Sequence, residues 1–255
     1  MEYEKEFPRF FDLMRTYEFT TQPGSLFYEF EKSLEQSRLK LSFYRYLEAE
    51  LAQLDITAWK HLKKKMSEAA VRKQDTHGWH QVIACVHEAQ AYNYLRRIGT
   101  ENIQFVKSGN FKSPDLRGTI GKKHIVCECK TLNRSKKALI ASQRSQVQAV
   151  SLNLDDAFMT KIRSVIERGF LQIEALGLND EAMKILYLVP NFDDMQHTYV
   201  DDYMKQIRDF FNASDDLPHI DYVFDVKSEH FSILETFPRS RHYLFNRENG
   251  WRQIE

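Results

Sequence analysis

The chain has 255 residues, enough for one domain with a large appendage or two small ones, and its 42% hydrophobic content allows a sizeable core. Its 36 basic and 36 acidic residues cancel, so bulk charge does not mark it as a nucleic-acid binder, although a local basic rim remains open to it. No apolar run approaches the roughly 18 residues of a membrane span, the first residues lack the cationic-then-apolar design of a signal peptide, and three cysteines do not make a disulfide framework; these features predict a reducing, cytoplasmic setting with no membrane partner.

In chain order, residues 1–76 read as a helical, aromatic-rich region. Phe7, Phe10, Phe11, Met14 and Tyr17 form one helical cluster, and Pro23-Gly24-Ser25 is a break with Ser25 as a helix cap. Leu26, Phe27, Phe30 and Leu34 follow, then Leu41, Tyr44, Leu47, Leu51 and Leu54, at spacings that favour core over a base-stacking platform. Lys60 to Lys65 is a basic run, in which Lys63, Lys64 and Lys65 are candidates for phosphate contact or for a solvated face. His77, His80 and His87 lack the spacing of a zinc site and read as surface or core histidines.

From Trp79 to Ile98 the spacing predicts a helix stopped by Gly99. Gln81, Ala84, Glu88, Ala91, Leu95 and Ile98 share a stripe, so Glu88 is a carboxylate among small and apolar neighbours. A buried carboxylate needs a cation or donors; an edge position reaching water is the simpler alternative. Strands are expected near 103–107, 112–120 and 123–130. The second holds Ser113-Pro114-Asp115; the third ends in Glu128-Cys129-Lys130. Strand alternation puts His124, Val126, Glu128 and Lys130 on one face, with Ile125, Cys127 and Cys129 on the other. A hairpin through Gly118 and Gly121 would bring Asp115 near Glu128. Two carboxylates and a lysine at one place suit a hard divalent cation, which takes carboxylate, phosphate and water oxygens.

Beyond the strand, Arg134, Lys136 and Lys137 form a basic segment able to line a substrate groove, and Gln143 and Gln146 follow it. Asp155 or Asp156 caps a helix at 155–176 with an apolar stripe from Phe158 to Leu176. Met183–Val189 is a buried strand stopped by Pro190, Tyr199–Phe211 an amphipathic helix, and 219–226 and 231–237 further strands. Asp221 and Asp225 read as solvated strand positions. Residues 239–255 carry no readable function.

Glu88 on a helix, Ser113-Pro114-Asp115 and Glu128-Cys129-Lys130 resemble, in type and order, the PD-(D/E)XK nuclease superfamily. The resemblance covers about 110 residues and implies an α/β, restriction-endonuclease-like core: helix, three strands, helix, strand, in a mixed sheet flanked by helices. It divides the chain into an N-terminal helical region, 1–76, and a nuclease-like domain, 77–255. It implies Mg²⁺-dependent phosphodiester hydrolysis, with Mn²⁺ able to substitute. Asp115, Glu128 and the Cys129 carbonyl would be metal ligands, Lys130 would position water or stabilise charge, and Glu88 would serve a second or water-bridged metal. Some relatives carry a glutamine in the helix after the lysine. DNA is favoured over RNA as partner because the family acts mostly on DNA, and a homodimer is compatible with it because many members dimerise to cut both strands. The alternative is a catalytically inactive nucleic-acid-binding or assembly module on the same fold.

Overall fold

The computed structural model describes residues 2–16, 27–72, 76–106, 113–133, 153–154, 156–178, 181–191, 199–228 and 239–254. It divides into two compact units, Met1–Phe105 and Val106–Glu255.

The first unit holds helices α1 (Glu2–Glu6), α2 (Pro8–Met14), α3 (Phe30–Gln36), α4 (Arg38–Ala52), α5 (Ile56–Arg72) and α6 (Thr76–Arg97), and strand β1 (Glu101–Phe105). The N-terminal aromatics are core, as their spacing predicts. Phe10 and Phe30 meet Tyr44 edge-on at centroid distances of 5.3 and 4.9 Å, and Phe7, Leu13, Leu34 and Leu47 are fully buried beside them. Phe7 offers α2 no side-chain cap, and Pro8 stands where its missing N–H costs nothing. The next two amides, of Arg9 and Phe10, donate instead to the buried Glu48 carboxylate of α4 at 2.8 and 3.1 Å. Tyr17 and the Pro23–Ser25 break lie outside the described residues.

Helix α6 ends as its sequence foretells. Gly99 takes φ +84°, its N–H bonds the Arg96 carbonyl at 3.1 Å, and the Thr100 N–H bonds the Leu95 carbonyl at 3.0 Å. The single apolar stripe does not hold. Residues 82, 83 and 85–95 are buried on every side, so α6 carries polar groups inward, each needing a partner. Gln90 bonds the Tyr46 hydroxyl, and Asn93 donates to Glu50 at 2.7 Å.

The second unit is a mixed α/β layer. Strands β2 (Leu116–Ile120), β3 (Lys123–Asn133), β4 (Met183–Asn191), β5 (Asp221–Ser228), β6 (Arg239–Asn246) and β7 (Gly250–Gln253) lie side by side in sequence order. The pairs β3·β4 and β4·β5 are parallel; β2·β3, β5·β6 and β6·β7 are antiparallel. Each parallel pair needs a crossover, supplied by α7 (Asp156–Glu174) and α8 (Val200–Ala213). Both helices cover one face of the sheet. Ile162, Ile166, Ile173, Ile207 and Phe211 pack there on Val126, Leu186, Leu188, Tyr222, Phe224 and Phe245. Gly169 faces Leu186 so closely that a Cβ would stand 2.5 Å from its Cδ1, which sets how near α7 approaches β4.

Strands β6 and β7 occupy the C-terminal segment that the sequence left unassigned, whereas the expected strand at 231–237 lies outside the described residues. Asp225 corrects its expectation as a solvated strand position. It is 1% exposed on a strand inside the sheet, and the Tyr187 hydroxyl donates to it at 2.7 Å. Asp221 is half-buried, and burial raises its pKa. No described helix is long and apolar enough to cross a membrane.

Candidate active site

The β2–β3 hairpin builds the site. Its connection is the two-residue turn Gly121-Lys122, with Gly121 at φ +56°, a conformation that costs a glycine little. The register follows from this turn: Ile120 faces Lys123, and Leu116 faces Cys127. Asp115 immediately precedes β2 and acts on Glu128 both by its charge and by a hydrogen bond. The Asp115 carboxylate accepts a hydrogen bond from the Cys129 backbone N–H at 3.0 Å, which ties the entry of β2 to β3.

Alternation along β3 puts Glu128 and Lys130 on the same face as Val126 and Leu132, the face that α7 covers. A charged pair thus stands inside an apolar layer, with Glu128 beside Leu186 of β4 and Lys130 beside Leu188. Glu128 is 1% exposed. Its Oε1 accepts from the Lys130 ammonium; its Oε2 is buried and has no hydrogen-bond partner among the described residues. Burial, and next the negative charge of Asp115, push the Glu128 pKa up to about 8, against the opposing pull of Lys130. Two carboxylates this close are costly unless a cation or a shared proton joins them, and the raised pKa of Glu128 reflects a hydrogen bond to Asp115 as well as its charge.

Lys130 has a second anchor. The side-chain oxygen of Gln172, on the last turn of α7, accepts from its Nζ at 2.6 Å, and Gln172 Nε2 donates to the Ser113 carbonyl at 3.2 Å. One amide therefore links α7, the segment entering β2 and the end of β3. Gln143 and Gln146, the glutamines singled out in the sequence, lie outside the described residues. Gln172 was missed although it sits in the predicted helix, on the turn that carries Ile173; its place beside the buried face was the available signal.

Asp115, Glu128, Cys129 and Lys130 are thus brought together in the second unit. Glu88 belongs to the first unit, where it is 7% exposed and both its oxygens meet the Lys65 ammonium at 2.7 Å. The cation that a buried carboxylate requires is, in that unit, Lys65. Lys63 is likewise engaged, with Asp12 at 2.7 Å, while Lys64 stays exposed at 4.0 Å from Glu68. Arg134, Lys136 and Lys137 lie outside the described residues, as do the side chains of His77 and His80. Cys127 is buried with its thiol pKa pushed well up, chiefly by burial, so it packs as a small apolar group.

Among the described residues no group of three or more His, Cys, Asp or Glu side chains converges as a metal centre. That excludes a closed zinc-type cage there but not Mg²⁺, which is held through one or two carboxylates with substrate and water completing its shell. The orphan Glu128 Oε2 beside Asp115 fits such a two-carboxylate ion. Comparison of the chain with protein-family models, with curated proteins and with solved structures finds no match.

Proposed function

We propose that this chain is a Mg²⁺-dependent nuclease with a restriction-endonuclease-like core, hydrolysing phosphodiester bonds in DNA. The observation that carries the reading is the buried Glu128 carboxylate, held between Asp115 and Lys130 with one oxygen unsatisfied. The order α6, β1, β2, β3, α7, β4 also follows that of the superfamily.

Asp115 and Glu128 would hold the ion, with the Cys129 carbonyl as a further oxygen. The ion, when bound, supplies a Lewis acid for the phosphate and a more acidic water. The chain's own residues do the rest. The Cys129 N–H keeps the Asp115 carboxylate turned toward β3. Gln172 and Glu128 hold the Lys130 ammonium in place, so that it can donate to a phosphate oxygen or orient the attacking water. The apolar layer around the pair limits bulk water and strengthens these charges.

The test is a cleavage assay on supercoiled plasmid, linear duplex, single-stranded DNA and RNA, with Mg²⁺, Mn²⁺ or EDTA. Metal-dependent cleavage of DNA that disappears in both Asp115→Ala and Lys130→Ala supports the reading. Cleavage that survives both substitutions refutes this site. Divalent-cation binding lost in Asp115→Ala, without cleavage of any substrate, would favour an inactive module.

A further inference from the structure

We infer that the tip of the β2–β3 hairpin is a second phosphate-contact site, which grips duplex DNA at a set distance from the Asp115–Glu128–Lys130 cluster. The inference rests on the nuclease reading of that cluster and adds the class of substrate and its footprint.

From Leu116 to Cys127 the hairpin contains no acidic residue, yet it carries Arg117, Lys122, Lys123 and His124, all exposed, in a chain of zero net charge. Lys63, Lys65 and Lys184 are each paired with a carboxylate at 2.7 Å. By contrast, among the described residues no carboxylate pairs with Lys122, Lys123 or His124. The register sets Arg117 opposite Val126 and Thr119 opposite His124, so Arg117 and His124 share the Glu128 face of the sheet, and the two lysines close the tip.

Strand rise then fixes a ruler. His124 and Lys123 stand four and five residues before Glu128, or ~13 and ~17 Å along the strand. Duplex phosphates advance ~3.4 Å of axis per step on each strand but wind around it, so a straight span of this length reaches a phosphate only about two or three steps from the one at the cluster. A duplex is stiff over this length and presents its phosphates at fixed spacing, whereas a single strand does not. A tight two-residue turn is a rigid arm suited to the stiff ligand. Such contacts add affinity and position without reading sequence.

The measurement is fluorescence-anisotropy binding of wild type and the Lys122→Ala/Lys123→Ala double variant in EDTA, beside cleavage in Mg²⁺. Ligands are a duplex of about 24 bp and a single strand of the same length, titrated over roughly 50 to 200 mM salt. The double variant should keep the wild-type melting temperature. On the duplex it should bind ~10-fold more weakly, with a log–log salt slope about 2 smaller, and its deficit on the single strand should be smaller. Equal affinity and slope on the duplex overturn the inference. So does an equal or larger deficit on the single strand, or a wild type that binds no duplex. Duplex-selective loss of binding with no cleavage would instead refute the nuclease reading and leave the tip contact standing.

Discussion

Asp115 and Cys129 are joined across the hairpin: the Cys129 backbone N–H donates to the Asp115 carboxylate at 3.0 Å. The bond gives Asp115 two separable jobs, an acceptor that fixes the hairpin and a negative charge set against Glu128. Asp115→Asn keeps an acceptor and removes the charge; Asp115→Ala removes both. Metal-dependent cleavage should fall at least ~100-fold in each, since even partners that merely orient a metal's ligands are worth 10–100-fold. Only the alanine variant should also lose about 1–2 kcal/mol of stability by denaturant unfolding, because its Cys129 N–H loses that acceptor. An asparagine variant with full activity would show that the charge is irrelevant.

Gln172 is a positioning residue for Lys130. Gln172→Leu keeps the volume near the buried side of α7 and removes both hydrogen bonds, the one accepted from Lys130 Nζ and the one donated to the Ser113 carbonyl. The expected result is a kcat lower by about 10–100-fold with KM little changed. A structural role alone would change melting temperature and leave kcat of the folded fraction intact. Steady-state kinetics on a saturating duplex series decides between them.

The raised pKa of Glu128 couples pH to stability. Its folded value is about 8 against an ordinary 4.5, so the folded state holds this proton more tightly than the unfolded chain. Stability from this group is therefore complete below about pH 4.5 and is lost as pH rises toward 8, by up to a few kcal/mol. In EDTA the melting temperature should fall across that window, and Glu128→Gln should flatten the trend. Mg²⁺ should raise the melting temperature more at pH 8 than at pH 5, because the ion needs the ionised carboxylate. A wild-type profile in EDTA that is flat across the window, or rises, would contradict this account.

On the sheet face opposite Glu128, Asp225 accepts from Tyr187 at 2.7 Å, with His242 Nε2 3.1 Å from the same hydroxyl. These groups resemble a site in composition but are linked to each other, and Tyr187→Phe tests that. Removing the hydroxyl strips a donor from a carboxylate that is 1% exposed, so unfolding free energy should drop by about 1–3 kcal/mol. Cleavage at a permissive temperature should be unchanged. Loss of activity in a fully folded variant would give this cluster a function.

Local signals were legible in proportion to how local their causes are. Gly99 and Gly177 follow α6 and α7 at positive φ because only glycine adopts that conformation without steric cost, and the stop at Gly99 was predicted from that one residue. The alternation that puts Glu128 and Lys130 on one face depends on strand geometry alone. The strand at Met183 was visible as a short apolar run, since β4 is buried from Ile185 to Val189 on both faces. By contrast, β6 and β7 were not seen. Their sequence mixes charge and aromatics, and they are strands because β5 offers an edge to pair with.

The sequence by itself determined helices α6 and α7, strand β4, and the strand that carries the acidic residue and the lysine two residues on, because propensity, turn chemistry and side-chain period act over a few residues. Tertiary structure alone decided the partners. It set Glu88 against Lys65 within the first unit, brought Gln172 from 42 residues away onto Lys130, buried Asp225 under Tyr187, and left Glu128 Oε2 without a donor. Each of these is a meeting between elements distant in the chain. The electrostatic cost or gain of a charge depends on what is packed beside it, and only the folded chain supplies that.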